Sequence, residues 1–185
     1  MKAIKKIIVI VLILCMVGCS SKKPSDTVNS YLSELQKNVS QVLGDNAEIA
    51  EADQALYEAL VDAMKEFEYE IVGEEINEDK AEVKVKIKTY ALGSAFTSAF
   101  AEYISQAFSL ALGGASQEML ENLIYQIWSE KIAEEVEKGK LYSNTITLEL
   151  KKENNDWVIS DPKDEELVNA ITGDLVNILN SLSEQ

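Results

Sequence analysis

Histidine and arginine are both absent from this chain of 185 residues, and cysteine and proline occur only twice each. Without imidazole there is no Ser-His-Asp or Cys-His catalytic set, and most zinc sites lose a usual ligand. Without guanidinium there is no bidentate fork for phosphate or carboxylate. Positive charge is scarce overall: 17 cations, all of them lysine, face 32 Asp and Glu, for a net charge of −15. Nucleic-acid affinity is built from Lys and Arg, so this balance excludes a nucleic-acid partner. What the chain does have is 46% hydrophobic residues, enough for the core of one domain of ordinary size.

Both cysteines, Cys15 and Cys19, fall at the start of the chain, where neither can staple a fold. Lys2, Lys5 and Lys6 precede an uncharged apolar run from Ile7 to Val17. A bilayer-spanning helix needs ~20 apolar residues. The shorter run behind a basic start suits the core of a secretory signal peptide.

Met16-Val17-Gly18-Cys19 then resembles the lipobox of bacterial lipoproteins, with Met16 in place of the usual Leu. The resemblance implies a signal peptide over residues 1–18, cleaved after the small Gly18. It also implies a diacylglyceryl lipid on the Cys19 thiol, with palmitate-type acylation and no other cofactor. Cys15 follows Ile13-Leu14, lacks the small preceding residue, and reads as a bystander. Two acyl chains anchor stably where one is marginal, at about 0.8 kcal/mol per buried methylene. The expected partner is therefore the cell membrane, at its extracytoplasmic face, with any protein or small-molecule partner unidentified. Cleavage would leave 14 lysines against 32 acids, a net −18. Residues 19–24 read as the lipidated cysteine and a polar tether, whose Lys22 and Lys23 suit anionic headgroups. Residues 25–185 read as one domain.

Within that domain, Ser25 or Asp26 is expected to cap a first helix, whose stripe is Val28, Leu32, Leu35, Val39 and Val42. Gly44-Asp45-Asn46 is expected to end it. A second helix is expected over about 52–67, with Leu56, Leu60, Met64 and Phe67 on one face. The period then changes to two. A strand from Tyr69 to Ile76 turns at Asn77-Glu78-Asp79 into one where Val83, Val85 and Ile87 alternate with Lys84, Lys86 and Lys88. That lysine row reads as a solvated sheet face, with anion binding as the lesser reading.

Residues 94–137 return to helical spacing, interrupted by Gly113-Gly114, and predict a helical hairpin. A strand carrying Ile146, Leu148 and Leu150, a turn at Asn154-Asn155-Asp156 and a strand carrying Trp157 and Ile159 follow. The chain is expected to close with one amphipathic helix, capped at Asp161 with Pro162 in its first position, along Leu167, Ile171, Leu175, Ile178 and Leu182.

This order predicts an α+β fold: two N-terminal helices against a curved, mostly antiparallel four-stranded sheet, an inserted helical hairpin and a C-terminal helix. The chain resembles small Gram-positive bacterial lipoproteins with a nuclear-transport-factor-2-like (cystatin-related) domain of unknown function. The resemblance rests on three stretches: Pro24-Ser25-Asp26-Thr27-Val28 with Tyr31-Leu32 and Leu35-Gln36-Lys37; residues 148–159; and Leu167-Val168-Asn169-Ala170-Ile171-Thr172-Gly173. The long helical segment between the second and third strands departs from the compact form of that fold.

Members of that fold hold a conical cavity, and some are enzymes with a carboxylate base. Tyr31, Tyr57, Phe67, Tyr69, Tyr90 and Trp157 are the aromatics that could line such a cavity, or else fill a core. Glu102, alone in a helix otherwise free of charge, reads as a solvated residue on a serine face. The acidic runs Glu74-Glu75, Glu134-Glu135-Glu137 and Asp161-Asp164-Glu165-Glu166 read as helix surface and dipole complement, none having the ligand pattern of a calcium loop. Phe96, Phe100 and Phe108 form a stripe on the hairpin that would serve as a docking face if exposed. No catalytic and no metal-binding residue is identified. The reading is a membrane-anchored binding or interaction module. A small-molecule-cavity enzyme and a helical-hairpin adaptor for another envelope protein are its alternatives.

Overall fold

The computed structural model describes residues 22–42 and 54–183. The signal-peptide run, Gly18, Cys19 and the helix stop at Gly44-Asp45-Asn46 lie outside the described residues. Helix α1 spans Pro24–Lys37 and continues through a short 3-10 turn at Val39–Gln41. Helix α2 spans Gln54–Lys65. Strands β1 (Glu68–Asn77) and β2 (Lys80–Thr89) follow, then the hairpin of α3 (Leu92–Leu112) and α4 (Gln117–Lys138). Strands β3 (Tyr142–Glu153) and β4 (Asp156–Ile159) lead to α5 (Glu165–Ile171) and α6 (Leu175–Ser183). The expected α+β architecture is therefore present, with the hairpin inserted between β2 and β3.

The four strands form one antiparallel meander in the order β1-β2-β3-β4. Its registers place Val83 opposite Leu148 and Val85 opposite Ile146, so the alternating residues share one face. Val83, Val85, Ile87, Ile146, Leu148 and Leu150 are all buried. Helices α1 and α5 pack on the strands, and Val28 and Leu32 of α1 are inaccessible. On the other face, Lys86 lies opposite Glu70 and Lys88 opposite Glu68. Lys86 and Lys88 thus sit beside acids from β1, a favourable cross-strand arrangement, while Lys84 faces Gly73. The tight turns are built from left-handed residues: Glu78 between β1 and β2, and Asn154 with Asn155 between β3 and β4.

Three helix boundaries differ from the sequence expectation. Helix α1 begins at Pro24 rather than after it, and Asp26 sits in the third position, accepting from the Lys23 N–H at 3.1 Å. Proline's fixed φ suits the first helical position, so the tether ends one residue earlier. Asp161 is not the cap of the closing helix; its carboxylate accepts from the Lys163 N–H at 2.9 Å in a turn. Asp164 caps α5 instead, accepting from the Leu167 N–H at 3.0 Å.

The closing helix is also two helices rather than one. The break falls at Gly173 and Asp174, both left-handed, with φ of 58° and 70°. The cause is a close approach of backbone to backbone. The Gly173 carbonyl accepts from the Gly93 N–H at 2.9 Å, and a Cβ at Gly173 would lie 2.0 Å from the Tyr90 carbonyl oxygen. A Cβ at Gly93 would in turn lie 2.7 Å from Ile178. Two glycines therefore let α6 dock against the start of α3, and Asn169 ties the turn by accepting from the Asn177 N–H at 3.0 Å.

Gly173→Ala adds a methyl where none fits, at a φ that alanine resists. The expected loss is about 3 kcal/mol of unfolding free energy, read as a lower urea midpoint with an unchanged slope. An unchanged midpoint would contradict the close approach.

Candidate interaction surface

The six aromatics proposed as cavity or core lining are spread through the packing of the domain. Phe67, Tyr90 and Trp157 are buried, and Tyr31, Tyr57 and Tyr69 pack against the same core. Phe67 and Tyr69 meet with ring centroids 6.0 Å apart. The Tyr31 and Tyr69 hydroxyls reach polar partners. Tyr69 donates to the Asn29 side chain at 3.0 Å, and Tyr31 donates to the Pro162 carbonyl. Burial pushes the Tyr31 phenol upward, with Asp161 and Asp164 adding to it. Trp157 carries the Lys152 ammonium 5.0 Å over its ring. None of the six lines the open cleft of about 470 Å³ beside α5, whose walls are Glu82, Thr147, Leu148, Glu149, Ser160, Asp161, Asp164 and Glu166.

That cleft gathers acids that the sequence scatters. Strand register sets Glu82 directly across from Glu149, and the loop before α5 brings Asp161 and Asp164. Among the described residues, no group of three or more His, Cys, Asp or Glu is arranged to hold a metal ion. Only the register could have joined Glu82 to Glu149, because they lie more than 60 positions apart.

Tyr90 belongs to a polar cluster at the root of the hairpin. Its hydroxyl donates to Glu66 Oε2, and the Lys140 ammonium lies 5.8 Å from its ring centroid. Lys140 also bonds Glu68 at 2.9 Å and approaches Glu66 at 4.0 Å. That contact with Lys140 holds the Glu68 carboxyl below its usual range. The bond to Glu66, reinforced by burial, pushes Tyr90 up to about 12.

The hairpin itself has two halves. Toward its root, Ala95 and Ala99 of α3 and Ile127, Trp128 and Ile132 of α4 are buried. Phe96 is half-buried there, its ring 4.9 Å from Trp128 in an edge-to-face arrangement. Beyond Ala99 the stripe on α3 emerges from the body. Exposure rises along it from 41% at Phe100 through 54% at Ile104 and 70% at Phe108 to 77% at Leu112. Of the three residues expected to form a docking face, Phe100 and Phe108 are thus exposed, whereas Phe96 mostly serves the fold. Phe100 stacks on Phe96 at 6.2 Å, so the exposed row grows directly out of the buried one.

Two expectations for the hairpin acids are corrected. Glu102 is not simply solvated: it pairs with Lys131 of α4 at 3.0 Å and accepts from Gln106 at 2.9 Å. This pair ties the two helices together, and bonds to Glu134 and Glu102 raise the Lys131 ammonium above its usual range. Glu135 does not lie on the helix surface but is buried, its carboxylate paired with Lys138 at 2.7 Å. Helical spacing alone could have flagged it, since Glu135 lies three residues beyond Ile132 on the packed face.

No protein-family model and no curated protein sequence matches the chain. A solved structure of a Bacillus subtilis protein assigned as a lipoprotein is similar to it at 17% sequence identity, with a TM-score of 0.44. The match covers 82% of this chain and 48% of the other, so the chain spans about half the length of that protein.

A retarded tyrosine gives this region an optical signature. The folded state holds the Tyr90 proton more tightly than the unfolded state does. The stability this contributes is present below the ordinary tyrosine range and is lost as pH rises from ~10 toward the folded value. In an alkaline titration followed by phenolate absorbance, one tyrosine is expected to ionise near 12. Glu66→Gln should shift that step downward. A titration identical in the variant would contradict the assignment.

Proposed function

We propose that this chain is a lipoprotein, anchored through Cys19 at the extracytoplasmic face of the cell membrane and presenting a non-catalytic interaction domain. The observation that carries the reading is the sequence Met16-Val17-Gly18-Cys19 behind Lys2, Lys5, Lys6 and the apolar run from Ile7 to Val17. No helix among the described residues is long and apolar enough to cross a membrane. In this reading, attachment falls to the lipid on Cys19. Helix α1 starts only five residues later, so the domain is held close to the headgroups. The high negative charge of the domain then works against its lying flat on an anionic surface.

We read the domain as a nuclear-transport-factor-2-like variant, on the strength of two leading helices and an antiparallel meander closed by C-terminal helices. Interaction is favoured over cavity chemistry by where the aromatic side chains go. Phe67, Tyr90 and Trp157 fill the core, while Phe100 and Phe108 stand in solvent. A second reading, the helical hairpin as an adaptor for another envelope protein, is favoured by that same exposed row.

Metabolic labelling with radioactive palmitate tests the anchor. The wild-type chain should take up label and mature to a faster-migrating form. Cys19→Ser should lose the label and accumulate as precursor, whereas Cys15→Ser should behave as wild type. Label retained by Cys19→Ser, with normal processing, would contradict the proposal.

A further inference from the structure

We infer that the exposed half of the hairpin binds a second copy of this chain, α3 against α3 in antiparallel fashion about a two-fold axis at Ile104. The first ground is the symmetry of the row. The exposed Phe100, Ile104 and Phe108 repeat every four residues, and Ile104 is their midpoint. Reversal about Ile104 exchanges Phe100 with Phe108, Ala101 with Ala107 and Glu102 with Gln106. A two-fold interface needs the same patch on both subunits, each residue meeting its mirror position. This helix supplies that patch within itself, and i±4 rows are the ridges by which helices interlock.

Charge supplies the second ground. The chain carries a net −15, so two copies repel over most of their surface. From Tyr103 to Gln117 there is no charged side chain, and this segment includes the exposed tip. In the antiparallel pairing the two bodies, which end at Ala99, stay ~15 Å apart along the helix. That exceeds the ~8 Å screening length at physiological salt. The absence of any cation between Lys88 and Lys131 also sets the face apart from lipid-binding helices, which carry lysine or arginine on their polar side.

Area sets the strength. The exposed parts of Phe100, Ile104, Phe108 and Leu112 offer on the order of 450 Å² of apolar surface per copy. Flanking Ala101, Ser105 and Ala111 widen this toward the ~800 Å² per partner of a standard interface. A patch below standard size suits weak, reversible association, strengthened rather than weakened by added salt because salt screens the repulsion between two acidic bodies.

The chain's own cysteines make the test simple. In the full chain with Cys15→Ser and Cys19→Ser, an introduced thiol is the only one. The test is therefore independent of lipidation and of the reading above. Cells co-expressing two differently tagged copies are treated with a short, membrane-permeant bis-maleimide. Ile104→Cys should give a covalent homodimer carrying both tags, because the axis brings the two thiols together. Lys163→Cys, exposed beside α5, should give none. Adding Phe108→Glu to Ile104→Cys should lower the dimer yield at least tenfold, with an unchanged circular dichroism spectrum. Three results would each overturn the inference: no homodimer at Ile104, equal yield at Lys163, or an Ile104 adduct whose mass is that of a different protein. Shielding of the Ile104 thiol by neutral phosphatidylcholine vesicles, without dimer, would reassign the face to lipid.

Discussion

One apolar sheet face in need of a cover organises this domain. The meander has a single buried side, made by Val83, Val85, Ile87, Ile146, Leu148 and Leu150. No second sheet lies among the described residues to close over it. Helices must therefore do so, and α1 and α5 lie against the strands from opposite ends of the chain. Burial of six such side chains contributes on the order of 10 kcal/mol before the entropy of ordering is charged against it. The outer face stays wet through its lysine and glutamate pairs, as an antiparallel sheet allows.

The hairpin is different in kind. Its partners are helices, with α4 on α2 and α3 on α6, so it extends the body without covering the sheet. Three features bind its root: the Phe96–Trp128 contact, the Glu66–Tyr90 bond and the paired glycines at 93 and 173. Among the described residues, its far half has only its own second helix for company. A pair of helices more than 20 residues each, rooted firmly and left apolar at the tip, presents a surface that the described body does not cover.

Local rules made much of this legible. Alternation from Val83 to Lys88 marked β2 and which side of it is buried, because a strand's side chains have a period of two. The asparagine pair at 154 and 155 announced its turn, because asparagine tolerates left-handed backbone. The hairpin was legible from its stripe and its glycine break. What escaped was long-range. Gly173 sits within a helical pattern and carries no local sign that the Tyr90 carbonyl will occupy the space beside it. Asp161 and Asp164 are equally good caps by type, and only the turn chosen by the chain separates them. The Glu82–Glu149 pairing needs a register that neither strand contains alone. Helical periodicity showed that Phe100, Ile104 and Phe108 share a face. It could not show that the body of the domain stops at Ala99.

That face is solvent-exposed in a single chain and covered in the inferred pair. Hydrogen–deuterium exchange of the full chain, compared at low and high micromolar concentration, reads this directly. Slower amide exchange is expected at high concentration over residues 100–112, with little change over 127–135 at the hairpin root. Exchange over 100–112 that is the same at both concentrations would contradict it.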